Sequence, residues 1–141
     1  MDIEEKDIRS NLRVFMVEDD LVDAERIRRS LSKMGMPHVL TVFTTGEEML
    51  GLLDAGQRKA VPDLLILDLN LPGEHGLEIL KKVKEDPLLQ EIPVIILTAS
   101  DRKEDMVAAD KQGSVFLKKS WDEKVLKEVI QQMKIAGILK F

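Results

Sequence analysis

The sequence predicts an α/β domain built on a parallel β-sheet with helices on both faces. Two observations carry that expectation. Five short runs of apolar and β-branched residues recur along the chain, and the segments between them space their apolar residues as helices do. Near-continuous apolar strands belong to sheets buried on both sides, and parallel neighbours require crossover connections that helices supply. A length of 141 residues is that of one ordinary domain, and 44% hydrophobic with 33% charged residues allows both a core and a solvated surface.

The first run is Val14–Val17. Leu21, Ala24, Ile27, Leu31 and Met34 then fall on one face of a helix, and Met34-Gly35-Met36 reads as its end. The second run is Val39–Phe43, after which Thr45 with Glu48 three residues on marks a helix start. Leu64–Leu67 and Val94–Leu97 are the third and fourth runs; Ala55–Lys59 and Glu85–Leu88 are exposed connections. Asp101 with Glu104 opens a helix whose apolar residues are few and small, so it is expected to be the least buried. Val115–Leu117 is the last strand, and Ser120 with Glu123 opens a helix carrying Val125, Val129, Ile130 and Met133.

Composition excludes several chemistries. No cysteine is present, so there is no disulfide framework, thiolate metal site or cysteine nucleophile. No apolar run approaches the roughly 20 residues of a membrane helix, and the acidic start lacks a signal-peptide pattern, so a soluble cytoplasmic protein is expected. A net charge of −5 argues against DNA binding, which requires basic groups at phosphates.

In a parallel sheet the residues just past each strand collect along one edge, where open α/β sheets bind ligands. Here these are Glu18, Asp19 and Asp20, then Asp68, then Thr98, then Lys118 and Lys119. Each alone has an ordinary explanation as a helix-start acid, a turn residue, a strand end or a solvated lysine. Together they do not, because carboxylates about 4 Å apart repel by about 4 kcal/mol at an effective dielectric near 20. A hard divalent cation such as Mg2+ and a lysine would compensate, and a carboxylate between them can act as a nucleophile toward phosphorus. Asp68 is the candidate.

These residues resemble the CheY-like receiver domains of bacterial two-component response regulators. The resemblance spans residues 11–137, with 1–10 and 138–141 as terminal extensions. It rests on Val17-Glu18-Asp19-Asp20, on Asp68-Leu69-Asn70-Leu71-Pro72-Gly73-Glu74-His75-Gly76, on Leu97-Thr98-Ala99 and on Phe116-Leu117-Lys118-Lys119-Ser120. It implies a flavodoxin-like (βα)5 three-layer sandwich with strand order 2-1-3-4-5. It implies Asp68 as phosphoacceptor and a Mg2+ site formed by Asp19, Asp68, the Asn70 backbone carbonyl and, through water, Glu18. Thr98 and Lys119 would bind the phosphoryl group, Ala99 would leave room for it, and Thr98 with Phe116 would form the switch. The implied partners are a sensor histidine kinase or phosphotransfer protein upstream and a protein target downstream. The implied chemistry is the protein's own phosphorylation and dephosphorylation, not turnover of an external substrate. Ser120 after Lys119, the Glu18-Asp19-Asp20 start and the Asp68-Leu69-Asn70-Leu71-Pro72 stretch look most like the stand-alone receivers that pair with phytochrome-type and related sensor kinases.

Two positions depart from the family pattern. Ser120 follows Lys119 where many receivers have proline, which leaves the isomer of that peptide bond open. His75 stands where an aspartate commonly precedes the glycine and reads as a loop or helix-start residue. With the receiver filling nearly the whole chain, output is expected through protein contact. The apolar tail Ile135–Phe141 reads either as packing along the final helix or as a homodimer contact, and Trp121 as core or as part of that surface. A flavin- or nucleotide-binding protein fits poorly, because Glu18-Asp19-Asp20 stand where a phosphate needs amides. An aspartyl phosphohydrolase would be expected to carry its nucleophile after the first strand. A phosphorylation-independent binding scaffold is the remaining alternative.

Overall fold

The computed structural model describes residues 11–35, 37–54, 61–71, 74–99, 102–111, 113–119 and 123–139. Strands and helices alternate as β1 (Leu12–Val17), α1 (Leu21–Lys33), β2 (His38–Phe43), α2 (Gly46–Asp54), β3 (Leu64–Leu67), α3 (Gly76–Glu85), β4 (Val94–Thr98), α4 (Lys103–Lys111), β5 (Val115–Lys118) and α5 (Glu123–Ile135). The five strands form one parallel sheet of order β2-β1-β3-β4-β5. Between β3 and α3, Asn70–Leu71 pairs antiparallel with Glu74–His75.

Burial explains why the strands read as they do. β3 and β4 are buried at every position and β1 at all but Arg13, whereas the edge strands β2 and β5 are only partly covered. Alternation along β1 divides the core: Phe15 and Val17 face Met49 and Leu53 of α2 and Ile79, Leu80 and Val83 of α3. Leu12, Val14 and Met16 face the other way, onto Ala24, Ile27 and Leu31 of α1 and Leu126, Ile130 and Met133 of α5. The result is the expected three-layer, flavodoxin-like arrangement.

The helix starts follow local chemistry. The Asp20 carboxylate accepts from the Val22 and Asp23 amides at 2.9 and 3.2 Å and caps α1. Thr45 Oγ1 accepts from the Glu48 amide at 3.1 Å, and Glu48 reaches back to the amide and hydroxyl of Thr44, one residue beyond the standard capping box. His75 caps α3, its Nδ1 accepting from the Leu77 amide at 3.2 Å, which is the helix-start role expected of it. The caps expected at Asp101 and Ser120, the Lys119–Ser120 isomer and Trp121 lie outside the described residues.

Two expectations are corrected. Leu21 does not join the apolar stripe: it is 74% exposed, because it opens α1 beyond the sheet edge, and the stripe begins at Ala24. Val125 is likewise exposed on the rim of α5, and Leu126 takes its place in the core. The weak burial expected of α4 is present, with only Asp105 and Ala109 buried and Met106 and Val107 exposed. At the C-terminal end Gly137 adopts φ +74°, the amides of Ile138 and Leu139 donate to the Met133 carbonyl, and Leu139 packs into the core. Among the described residues no helix is long and apolar enough to cross a membrane.

Candidate functional site

The strand order sets the site. Because β1 lies beside β3, with Val17 opposite Leu67, the residues that follow these strands emerge side by side. The Glu18 amide donates to the Phe43 carbonyl and the Asp68 amide to the Val17 carbonyl, so both backbones are fixed as they leave the sheet. Glu18, Asp19 and Asp68 each direct a carboxylate oxygen into one cluster, all within 4.8 Å of one another, with Glu18 and Asp68 buried and Asp19 exposed.

Lys119 enters from the far side of the sheet. Its amide donates to the Thr98 carbonyl at 2.7 Å, which holds it just past β5. Its Nζ donates to Glu18 Oε1 at 2.7 Å, Asp23 Oδ2 at 2.8 Å and Asp68 Oδ2 at 3.2 Å. Burial pushes the Glu18 carboxyl up to about 7; its hydrogen bond to Lys119 opposes this, and contact with Asp68 adds to the rise. For Lys119, burial alone would lower the ammonium, but hydrogen bonds to Asp23 and Glu18 and the charges of Asp68 and Glu18 outweigh it and hold it above its usual range.

The other expected residues fall nearby to different degrees. Thr98 ends β4 fully buried, and Ala99 follows it on the exposed rim. Phe116 sits on β5 opposite Ile96, half-buried against the α2–α3 face of the core. The Asn70 backbone lies in the short ladder opposite His75; its side chain is outside the description. Lys118, the other lysine at this edge, is exposed.

Two residues of the site were given no role from sequence. Asp23, on the first turn of α1, holds Lys119; its signal was an acid one helical turn after Asp19, which also reads as an ordinary helix-start acid. Gly76 opens α3 where a Cβ would lie within contact distance of the Asp68 carbonyl oxygen and the Leu69 Cα. Only glycine lets α3 abut the residue that carries the central carboxylate.

The donor set is all oxygen and contains more negative charge than one ammonium neutralises. That is the chemistry a hard divalent cation requires, so the residues present fit Mg2+ or Mn2+.

Residues 14–131 match the family model described as response regulator receiver domain. The chain is 30% identical over 122 residues to Response regulator Rcp1 of Synechocystis, covering 84% of this chain and 83% of that protein. It is 32% identical over 121 residues to Chemotaxis protein CheY1 of Helicobacter pylori, covering 85% and 94%. Among solved structures, the Mn2+-bound form of Rcp1 aligns with a TM-score of 0.74 at 28% identity, covering 92% of this chain and 96% of that one. The phosphorylated cyanobacterial phytochrome response regulator RcpA aligns with a TM-score of 0.73 at 30% identity, covering 88% and 91%.

Proposed function

The chain belongs to the family of receiver domains of two-component response regulators, and on that premise we propose that Asp68 accepts a phosphoryl group from the phosphohistidine of a sensor kinase or phosphotransfer protein. The observation that carries this is the placement of the Asp68 carboxylate at a buried strand end, between two further acids and a lysine 3.2 Å away. An Asp68 oxygen attacks phosphorus, the P–N bond breaks with its electron pair passing to the imidazole nitrogen, and an acyl phosphate forms. A divalent cation, for which we propose Mg2+, would be held by Asp19, Asp68, the Asn70 carbonyl and Glu18, and when bound it neutralises charge that develops on the phosphoryl oxygens. That a similar protein holds Mn2+ and another is phosphorylated supports both parts of this reading.

The chain's own groups divide the remaining work. The Lys119 ammonium is within reach of an oxygen on phosphorylated Asp68. The Thr98 hydroxyl at the end of β4 donates to a second oxygen, and the small Ala99 leaves space. Thr98 and Phe116 lie on adjacent strands, two registered pairs apart, so a shift of Thr98 toward the phosphoryl group is felt where Phe116 packs. The signal then passes as a population shift of the α4–β5–α5 surface to a downstream protein. The protein turns over no external substrate and promotes only its own phosphorylation and dephosphorylation. A phytochrome-type sensor kinase is the proposed donor, on the likeness to RcpA.

The test is intact mass after incubation with acetyl phosphate, with and without Mg2+, on wild type and Asp68→Asn. A Mg2+-dependent gain of one phosphoryl group, absent from the variant, is expected. No gain, together with no beryllofluoride complex, would overturn the reading in favour of a phosphorylation-independent binding scaffold.

A further inference from the structure

Lys119 must do two things: stay clear enough of Asp68 for a carboxylate oxygen to attack phosphorus, and remain close enough to meet the phosphoryl group afterwards. Its contacts show how both are met. The ammonium lies nearer Glu18 and Asp23, at 2.7 and 2.8 Å, than Asp68 at 3.2 Å. Asp23 is placed for this by the start of α1, where its amide donates to the capping carboxylate of Asp20. It also stands outside the trio Glu18, Asp19 and Asp68 whose oxygens converge, so it stays available to Lys119 when a cation engages Glu18.

We infer that Asp23 is a positioning residue for phosphoryl transfer, keeping the Lys119 ammonium at the longer of its contacts, 3.2 Å from Asp68, instead of letting it close on that carboxylate. Without the Asp23 charge, the balance of attraction on the lysine shifts toward Glu18 and Asp68. The contact with Asp68 then tightens, and the attacking oxygen is partly occupied.

The inference rests on Asp68 as phosphoacceptor, and the experiment separates the two. Wild type, Asp23→Asn, Asp23→Glu and Asp68→Asn are phosphorylated with acetyl phosphate at saturating Mg2+, and the saturating rate is separated from the half-saturating donor concentration. The Lys119 ammonium is followed in parallel by 15N NMR. In Asp23→Asn the saturating rate is expected to fall roughly tenfold, equivalent to about 1.4 kcal/mol, with the protected ammonium signal lost. Asp23→Glu, which restores the charge, should recover much of both. A shifted urea midpoint with an unchanged saturating rate would mark a merely structural role and overturn the inference, as would an ammonium signal unaltered in Asp23→Asn. Phosphorylation of wild type but not Asp68→Asn, with Asp23→Asn at the wild-type rate, overturns the Asp23 role alone. No uptake by wild type overturns the phosphoacceptor reading and leaves Asp23 nothing to position.

Discussion

Replacing Gly76 by alanine tests how tightly the site is built. The added methyl would overlap the Asp68 carbonyl oxygen and the Leu69 Cα, and both are backbone atoms that no rotamer change can move aside. The Gly76 amide donates to the Leu69 carbonyl at 2.9 Å and the Asp68 amide to the Val17 carbonyl at 3.2 Å, so either segment yields only by stretching a hydrogen bond. Overpacking of this kind costs about 1–3 kcal/mol, and the absence of a side chain to absorb it places Gly76→Ala toward the upper end, at about 2–3 kcal/mol. For a domain of this size that is roughly 5–10 °C in Tm. Gly51, within α2, is the control: nothing lies within 4 Å of a Cβ there, so Gly51→Ala should stabilise by about 0.5–1 kcal/mol. Urea denaturation of both variants gives the two signs, and acetyl phosphate labelling at a temperature where both are folded shows whether Gly76→Ala also slows Asp68. If Gly76→Ala matched wild type in stability and rate, the close approach of α3 to Asp68 would be wrong.

Three further predictions concern charge, cap and tail. The Glu18 carboxyl is raised from 4.5 to about 7 in the fold, so its contribution to stability is fully present below about pH 4.5 and is lost as pH rises through about 7. Measured by urea denaturation without metal, Glu18→Gln should therefore gain on wild type as pH rises across that window, and saturating Mg2+ should reduce the gain; a flat difference would contradict the assignment. Asp20→Ala removes the side-chain acceptor for two amides of α1 and should lower stability by about 1 kcal/mol in thermal unfolding, with Asp20→Asn close to wild type. Leu139→Ala should cost about 2 kcal/mol or more in the same assay, the range of a buried leucine cut to alanine.

Most of the fold was legible because its central strands are buried on both faces. Leu64–Leu67 and Val94–Leu97 have no solvent side to carry polar residues, so they appear as unbroken apolar runs. Leu21 misled because helical periodicity records which residues share a face but not where the neighbouring layer ends. Periodicity was also silent on strand order; the adjacency of β1 and β3 came from family resemblance and is what unites Glu18 with Asp68. Of the two lysines at the end of β5, Lys118 is exposed, whereas Lys119 turns onto the acids. The roles of Asp23 and Gly76 were missed for a common reason. Each has an adequate local explanation, while its actual partner is set by tertiary packing.

The charges at the site oppose the stability of the metal-free fold. The Lys119 ammonium contacts Glu18, Asp23 and Asp68, and Asp19 converges with the first and last of these, so among these described residues four carboxyl groups share one ammonium, a formal excess of three negative charges. Burial makes that excess expensive, as the raised Glu18 carboxyl records. An apolar replacement would make a steadier domain, since buried ion clusters seldom outperform well-packed hydrophobic groups. The same crowding makes the site responsive, because every change in its charge alters a poorly screened balance. A bound divalent cation would remove most of the excess, and a phosphoryl group on Asp68 would restore part of it beside Thr98 and Lys119. On the proposed reading, instability concentrated at one sheet edge would let a single phosphoryl group bias the surface formed by α4, β5 and α5, where α4 is held by only two buried side chains.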